Sequence, residues 1–310
     1  MAKKTTLQQT GKSNAGAWIE AFRLRTLPLA LASIITGGFL AFDEGKYQWS
    51  TLIFAVITTI FLQVLSNLAN DYGDAIKGTD NEHRTGPQRT VQSGRISPQQ
   101  MKNGIIIFTI LSFLSGLVLL YLALGDRLIE VFIFMLLGLA AIAAAIRYTI
   151  GSKAYGYKGM GDMFVFLFFG LLGVAGTWYL NTLEWHWDVL LPAASLGLLS
   201  TGVLNLNNMR DMDNDHNSGK RTVAGMMGYN TARVYHLLMI VGAFATATIF
   251  VAMHKSQFIN YLFWLSSPLF ILDLVHIFKM KEKNNLDPFL KKLALSSLLF
   301  SLLFGVGLLL

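Results

Sequence analysis

The chain has 310 residues, 53% hydrophobic and 14% charged, with a mean hydropathy of +0.49, too apolar for an ordinary soluble domain and pointing first to a membrane. Its formal net charge of +7 does not imply nucleic acid, because basic residues in so apolar a chain belong in loops beside anionic lipid. The absence of cysteine excludes disulfides, thiolate metal sites and cysteine nucleophiles together.

Residues 1–15 read as a polar tail, too long before the first apolar run for a cleavable signal, and residues 16–310 as one transmembrane domain. A bilayer core of about 30 Å needs about 20 apolar residues per helix. Nine stretches qualify: 18–41, 49–70, 104–124, 128–147, 163–181, 188–209, 234–253, 258–278 and 291–310. The expected fold is all-α and polytopic. With the N-terminus inside, the inner segments hold 22 Lys and Arg and the outer ones 3. Cytoplasmic loops carry that excess, and one missed span would invert every later loop. The reading is therefore a multi-pass protein of the cell membrane, N-terminus cytoplasmic and C-terminus outside. Two inner connections, 71–103 and 210–233, are longer than linkage requires, and such loops are usually functional.

The first of these carries NLANDYGDAIKGTDNEHRTGPQR, from Asn67 to Arg89. On a helix Asn67, Asn70, Asp71 and Asp74 share one face, and Asp80, Arg84 and Arg89 follow. Between the fourth and fifth spans, RYTIGSKAYGYKGMGD supplies Tyr148, Lys153, Tyr155 and Tyr157. These are either interface anchors or a third cationic arm, Lys153, beside tyrosines facing a carbocation or an acceptor. Gly156, Gly159 and Gly161 look like a phosphate loop, but no strand precedes them and the nucleotide fingerprint needs one. Gly170, Gly173 and Gly176 read as sites of close helix packing. The second long connection carries NLNNMRDMDNDHNSGKRT, from Asn205 to Thr222. Asn207, Asp211 and Asp215 share a face there, with Asn208 and Arg210 flanking and Lys220-Arg221 just after. The blocks Asn70-x-x-x-Asp74 and Asn207-x-x-x-Asp211 suggest a weak internal repeat. The histidines are scattered, with no zinc-like i, i+4 pair.

Charge clusters usually cap helix ends in solvent. Here carboxylates at i, i+4 repel by a few tenths of a kcal/mol, and an Asp deep in a bilayer costs about 2.5 to 3.5 kcal/mol, so something must offset that cost twice. Oxygen-only ligands point to a hard cation, and Mg²⁺ typically takes one or two carboxylates plus substrate phosphate oxygens. Lys and Arg nearby would clamp the outer oxygens.

The two motifs, with Arg25-Thr26-Leu27-Pro28, Gly86-Pro87, Gln92-Ser93-Gly94, Tyr148-Thr149, the Gly159-to-Gly170 stretch and Gly219-Lys220-Arg221-Thr222, resemble the UbiA-type superfamily of intramembrane aromatic prenyltransferases over most of the chain. The Gly78-x-Asp80 form of the first motif is most similar to the branch that prenylates 1,4-dihydroxy-2-naphthoate in menaquinone synthesis. That resemblance implies nine helices around a central cavity with its metal site toward the cytoplasm. It implies two Mg²⁺ ions bridged by a polyprenyl diphosphate and held by Asn70, Asp71, Asp74, Asp80, Asp211 and Asp215. Of these, Asp71, Asp74, Asp211 and Asp215 would be catalytic. Asn67, Asn70, Arg84, Arg89, Lys153, Asn207, Asn208, Lys220 and Arg221 would bind diphosphate, and Tyr148, Tyr155 and Tyr157 would line the acceptor or carbocation site. Diphosphate and CO₂ would leave, giving a demethylmenaquinone. The chain departs from many members at Gly78, Ser152 and Asp162, where they carry Asp, Pro and Glu. The rivals are prenylation of 4-hydroxybenzoate or another phenol, and an ion-coupled transporter, whose interrupted midplane helices the sequence does not signal.

Overall fold

The computed structural model describes residues 15–81, 86–280 and 283–310; the expected polar tail, apart from its last residue, lies outside the described residues. Among the described residues nine helices are long and apolar enough to cross a membrane. They are α1 (Ala15–Asp43), α2 (Trp49–Lys77), α3 (Pro98–Leu124), α4 (Leu128–Arg147), α5 (Gly161–Thr182), α6 (Trp187–Arg210), α7 (Tyr229–His254), α8 (Phe258–Lys279) and α9 (Asp287–Leu309). Each expected apolar run falls on one of them, the last running one residue past the end of α9. The helices outrun the apolar stretches because polar residues continue the winding: α2 carries Asn70, Asp71 and Asp74 and stops at Gly78, whose φ of 73° places it in the left-handed region. Only glycine adopts that conformation readily, and it commonly ends helices. At the start of α3, Ser97 accepts from the Gln100 amide at 3.2 Å and its own amide donates to the Gln100 side chain at 2.9 Å, a reciprocal cap that fixes where the loop ends.

Three helices are interrupted, contrary to expectation: α8 opens on a 3-10 stretch, Phe258–Ser266, in which Tyr261 leaves helical geometry (φ −89°, ψ 22°), and α1 and α5 also depart from a continuous α-helix. α1 breaks at Arg23 (φ 48°, ψ 55°) and resumes at Leu27 with Pro28 in its first turn. In α5, Phe166–Gly176 winds as a π-helix of 11 residues. A π-helix still bonds each backbone group internally, so it is tolerated in lipid. The glycines there do serve close packing: a Cβ on Gly170 would lie 2.6 Å from Gly197 Cα in α6, and one on Gly173 would lie 2.9 Å from Ser33 Cβ in α1.

The bundle has two packed halves. The larger core unites α1, α5, α6, α7, α8 and α9 around Trp178, Phe244, Phe263, Phe300 and Phe304. Smaller clusters join α1 to α2 and α3 at both ends of the helices, around Leu65, Leu68 and Met101 and around Ile34, Ala55 and Leu120. α4 packs on α2 and α3, and the space between the halves is the central cavity.

Candidate active site

Three connections on one face of the bundle converge over that cavity, which has a volume of about 420 Å³. The 71–97 and 148–160 segments meet because Gly73 admits Thr149 against α2. A Cβ at Gly73 would fall 2.5 Å from Thr149 Oγ1, and that hydroxyl donates to the Ala69 carbonyl at 2.9 Å. The 148–160 segment is tied to the second motif by backbone pairing, Gly159 N to Arg221 O at 2.8 Å and Arg221 N to Tyr157 O at 3.2 Å. Gly156 packs on Tyr148, where a Cβ would lie 2.6 Å from the Tyr148 carbonyl. The glycine cluster of this loop therefore seats an aromatic ring, which accounts for it without a nucleotide.

From the first motif Asn67, Asn70, Asp74, Asp80 and Arg89 line the cavity, and from the second Asn207, Asp211, Asp215 and Lys220. Asp74 Oδ1 accepts from Tyr157 Oη at 2.8 Å, and the Tyr157 hydroxyl also contacts Thr79 Oγ1. Asp80 reaches the cavity from just beyond Gly78, its Oδ2 3.7 Å from Arg89 Nε. Asp211 accepts both arms of Arg210, at 2.8 and 2.7 Å, and Arg210 also reaches Asn207 Oδ1 at 2.9 Å. Lys220 Nζ lies 3.3 Å from each Asp215 oxygen.

Burial pushes the Asp215 carboxyl up to about 6, against the pull of Lys220 and with help from Asp211. For Lys220 burial acts downward, but the Asp215 and Asp74 charges outweigh it and hold the ammonium above its usual range. A buried lysine thus stays cationic between the carboxylates of both motifs.

Other expected site residues stand elsewhere. Asp71 is buried and is not among the residues lining the cavity; it accepts from Thr90 Oγ1 at 2.7 Å, Thr90 N at 3.2 Å and Val91 N at 3.3 Å. It shapes the loop and faces no ligand space. Asn67 borders the cavity, but its amide donates to the Phe22 carbonyl at 2.9 Å and to Thr26 Oγ1 at 3.1 Å, stitching the break in α1. Asn208 is buried away from the cavity, and Lys153 and Arg221 point outward, exposed. Tyr148 and Tyr155 line the cavity, whereas Tyr157 stands behind Asp74. Arg84 lies outside the described residues.

Residues to which the sequence reading gave no site role also line the cavity: Arg23, Thr26, Gln63 and Asn214. Asn214 donates to the Thr79 carbonyl at 2.8 Å, joining the two motifs. The Arg25-Thr26-Leu27-Pro28 block was the available signal for the region of Arg23 and Thr26, and the second motif itself contained Asn214.

Below this polar end the walls are apolar. Tyr148, Tyr155, Phe164 and Phe168 form a continuous aromatic column, with ring centroids 5.3, 4.0 and 6.0 Å apart in succession. Burial pushes the Tyr148 phenol up to about 12, so it stays protonated.

The donor set suits a hard cation. Asp215 Oδ2 and Asn214 Oδ1 are buried at the cavity and accept no hydrogen bond, the lysine near Asp215 Oδ2 being an ionic contact without hydrogen-bond geometry. Among the described residues no three acidic or imidazole groups form a ready-made cage. An ion here would take one or two carboxylates and complete its shell with phosphate oxygens and water, as Mg²⁺ does.

The profile of the UbiA prenyltransferase family matches residues 30–302. The chain is 44% identical, over 94% of its length and 95% of the relative's, to a 1,4-dihydroxy-2-naphthoate octaprenyltransferase of Haemophilus influenzae. It is 41% identical to the protein of that name in Escherichia coli, covering 95% and 96% of the two chains. A solved UbiA homolog from Archaeoglobus fulgidus, bound to DMAPP and Mg²⁺, shares the fold with a TM-score of 0.60 at 17% identity, over 92% of this chain and 98% of that one.

Proposed function

The chain belongs to the UbiA prenyltransferase family, and from that premise we propose that it transfers a polyprenyl group from its diphosphate onto 1,4-dihydroxy-2-naphthoate, releasing diphosphate and CO₂. The observation that carries this reading is the facing of two acidic motifs across Lys220 at the polar end of an otherwise apolar, aromatic-lined cavity. The acceptor is supported by the near full-length relatives named for naphthoate prenylation.

Asn70, Asp74, Asp80, Asn207, Asp211 and Asp215 would hold Mg²⁺, and two motifs suit two ions bridged by diphosphate. When bound, the metal supplies charge neutralisation of the departing diphosphate. The chain's own groups do the rest. Lys220 and Arg89 place fixed positive charge at the polar end, where negative charge grows as the C–O bond breaks. Tyr157 holds the Asp74 carboxylate in one orientation through its hydroxyl. The ring faces of Tyr148, Tyr155, Phe164 and Phe168 stabilise the allylic cation, and the apolar wall excludes water that would capture it. The ring carbon bearing the acceptor's carboxylate attacks the cation. The electron pair of the carbon–carboxylate bond then restores the aromatic ring as CO₂ leaves. The product is a prenylated naphthalenediol whose quinone form is a demethylmenaquinone.

The site is assigned to the cytoplasmic side of the cell membrane, with the N-terminus on that side and the C-terminus outside. The support is the division of Lys and Arg, 22 against 3, between the two sets of connections.

The test is turnover of purified protein in detergent with a polyprenyl diphosphate, with and without Mg²⁺, offering 1,4-dihydroxy-2-naphthoate and 4-hydroxybenzoate in parallel. Mg²⁺-dependent prenylation of the naphthoate is expected. Preference for hydroxybenzoate would overturn the acceptor, and no product from either would overturn the reaction.

A further inference from the structure

The α8–α9 connection carries neither acidic motif, yet it reaches the site. Asp287 opens α9, with Pro288 in the same first turn, and the buried Leu286 and Phe289 on either side fix it against the larger core. An acidic residue in a first turn is ordinary, since it faces the positive end of the helix dipole. Asp287 does more: its Oδ1 accepts from Arg210 Nη1 at 2.5 Å. Its other oxygen lies 3.5 Å from Nη1 of Arg25, an exposed residue in the break of α1.

Arg210 is the centre of this chain of charges. It is 3% exposed and is not among the residues lining the cavity, so it stands behind Asp211 and Asn207 rather than in front of a phosphate. Its Nε and Nη2 grip the two Asp211 oxygens at 2.8 and 2.7 Å, and Nη2 also reaches Asn207 Oδ1 at 2.9 Å. Such a bidentate grip orients a carboxylate. Alone it would also cancel the carboxylate's charge, because a buried one-to-one pair has little left to attract a cation. With Asp287 on the remaining arm, two carboxylates share one guanidinium and the three groups keep a net negative charge. Arg25 does not restore the balance, since its charge lies at the surface, where water and salt screen it.

We propose that Asp287 is a positioning residue for the cation at the second motif: by drawing one arm of Arg210 toward α9 it holds Asp211 in one orientation and leaves that carboxylate the negative charge Mg²⁺ requires. This rests on the prenyl-transfer reading above, in which Asp211 is a Mg²⁺ ligand. Groups that orient a metal ligand from behind typically change metal affinity by about 10- to 100-fold when they are lost.

The probe is Mg²⁺ itself, titrated into the purified chain in detergent with a non-cleavable prenyl diphosphate analogue, and the readout is the melting temperature. In Asp287→Asn the Mg²⁺ concentration for half of the full thermal shift is expected to rise about tenfold or more, while Asp287→Glu, which keeps the charge, stays within about threefold of the parent. Asp273→Asn is the control for a purely structural tie. It breaks the 3.9 Å pair with Lys292 that also joins α8 to α9, and it should lower the melting temperature without moving the Mg²⁺ midpoint. A lower melting temperature with an unmoved midpoint in Asp287→Asn, or an equal rise in Asp287→Glu, overturns the proposal. Arg25→Gln frees Asp287 from its exposed partner, so there the midpoint is expected to fall, by about twofold because that pair is screened. A rise in Arg25→Gln would mean that any loosening of this junction weakens the ion, and it overturns the charge argument. Should Asp287→Asn fail to fold, the absence of a fall in Arg25→Gln is enough to overturn it. Unaltered protein whose melting ignores Mg²⁺ with the analogue present would mark failure of the transfer reading itself, and Asp287 would lose its role with it.

Discussion

The two acidic motifs look like copies in the sequence, yet the structure gives their side chains different work. In the first, at the end of α2, adjacent carboxylates divide: Asp74 faces the cavity, whereas both oxygens of Asp71 are taken by Thr90 and Val91. In the second, at the end of α6, Asp211 and Asp215 both face the cavity, each beside a buried cation, Arg210 or Lys220. The first motif thus spends one aspartate on building its own loop and draws Asp80 from that loop toward the cavity. The second needs no such device, because a short helix, Met212–Asn217, carries its carboxylates onward. The matched blocks Asn70-x-x-x-Asp74 and Asn207-x-x-x-Asp211 each bring their aspartate to the cavity and leave the residue after the asparagine, Asp71 or Asn208, outside it; the motifs differ in the acids beyond that match, Asp80 and Asp215, and in what each oxygen accepts.

The comparison breaks most visibly if the cavity-facing carboxylates are removed. Asp74→Ala and Asp215→Ala are each expected to lower kcat by about 10²- to 10³-fold, the range for losing one preorganised group that stabilises developing charge. Purified variants that still fold, by helical content and thermal melting, would be assayed. Near-normal turnover in either one would remove it from the metal set.

Lys220→Gln follows. It leaves Asp215 buried without its cation, and removing one partner of a buried pair is strongly destabilising, by about 3 to 5 kcal/mol. Mg²⁺ with a diphosphate analogue should return part of that stability, so the thermal shift on adding both is expected to be larger in Lys220→Gln than in the parent. An equal shift would mean that Lys220 does not share its space with the ligand.

Asp71→Asn sharpens the contrast with Asp74. An amide supplies a single acceptor oxygen against three donors, so the loop is expected to lose about 1 to 3 kcal/mol, read as a lower melting temperature. The Mg²⁺ concentration for half-maximal rate should stay where it is, while in Asp74→Asn it should rise. A matching rise in Asp71→Asn would return Asp71 to the metal set.

The nine spans and the two acidic motifs that meet at the cavity were legible because both follow from one-dimensional signals. Apolar length gives the helices, and paired acids at the ends of α2 and α6 cannot be explained by lipid. The partition of roles was not legible. Asn70 and Asp71 are neighbours on the same helical face, and only the return of the chain at Thr90 decides which one is used internally. The break at Arg23 and the π stretch in α5 were hidden for a related reason. Hydropathy counts residues per span and is blind to how they wind, and the close approaches at Gly170 and Gly173 that accompany the π winding are set by the partner helices. Lys153 and Arg221 were named from charge beside an acidic motif, a signal that does not report which way a long side chain points.

Those two residues give the smallest expected effect and separate side chain from backbone. Lys153→Ala and Arg221→Ala remove exposed charges, and surface substitutions of this kind usually change stability by no more than about 0.5 kcal/mol, so turnover within about twofold of the parent is expected. At Arg221 the backbone carries the structure: its carbonyl accepts from Gly159 N at 2.8 Å and its amide donates to Tyr157 O at 3.2 Å. Arg221→Pro deletes that amide donor. Because Tyr157 holds Asp74 and its ring stands near Lys220, loosening it should disturb both motifs at once. The proline variant is therefore expected to lose much more activity than the alanine variant, although both remove the same charge. Equal losses would make Arg221 a phosphate-binding side chain after all.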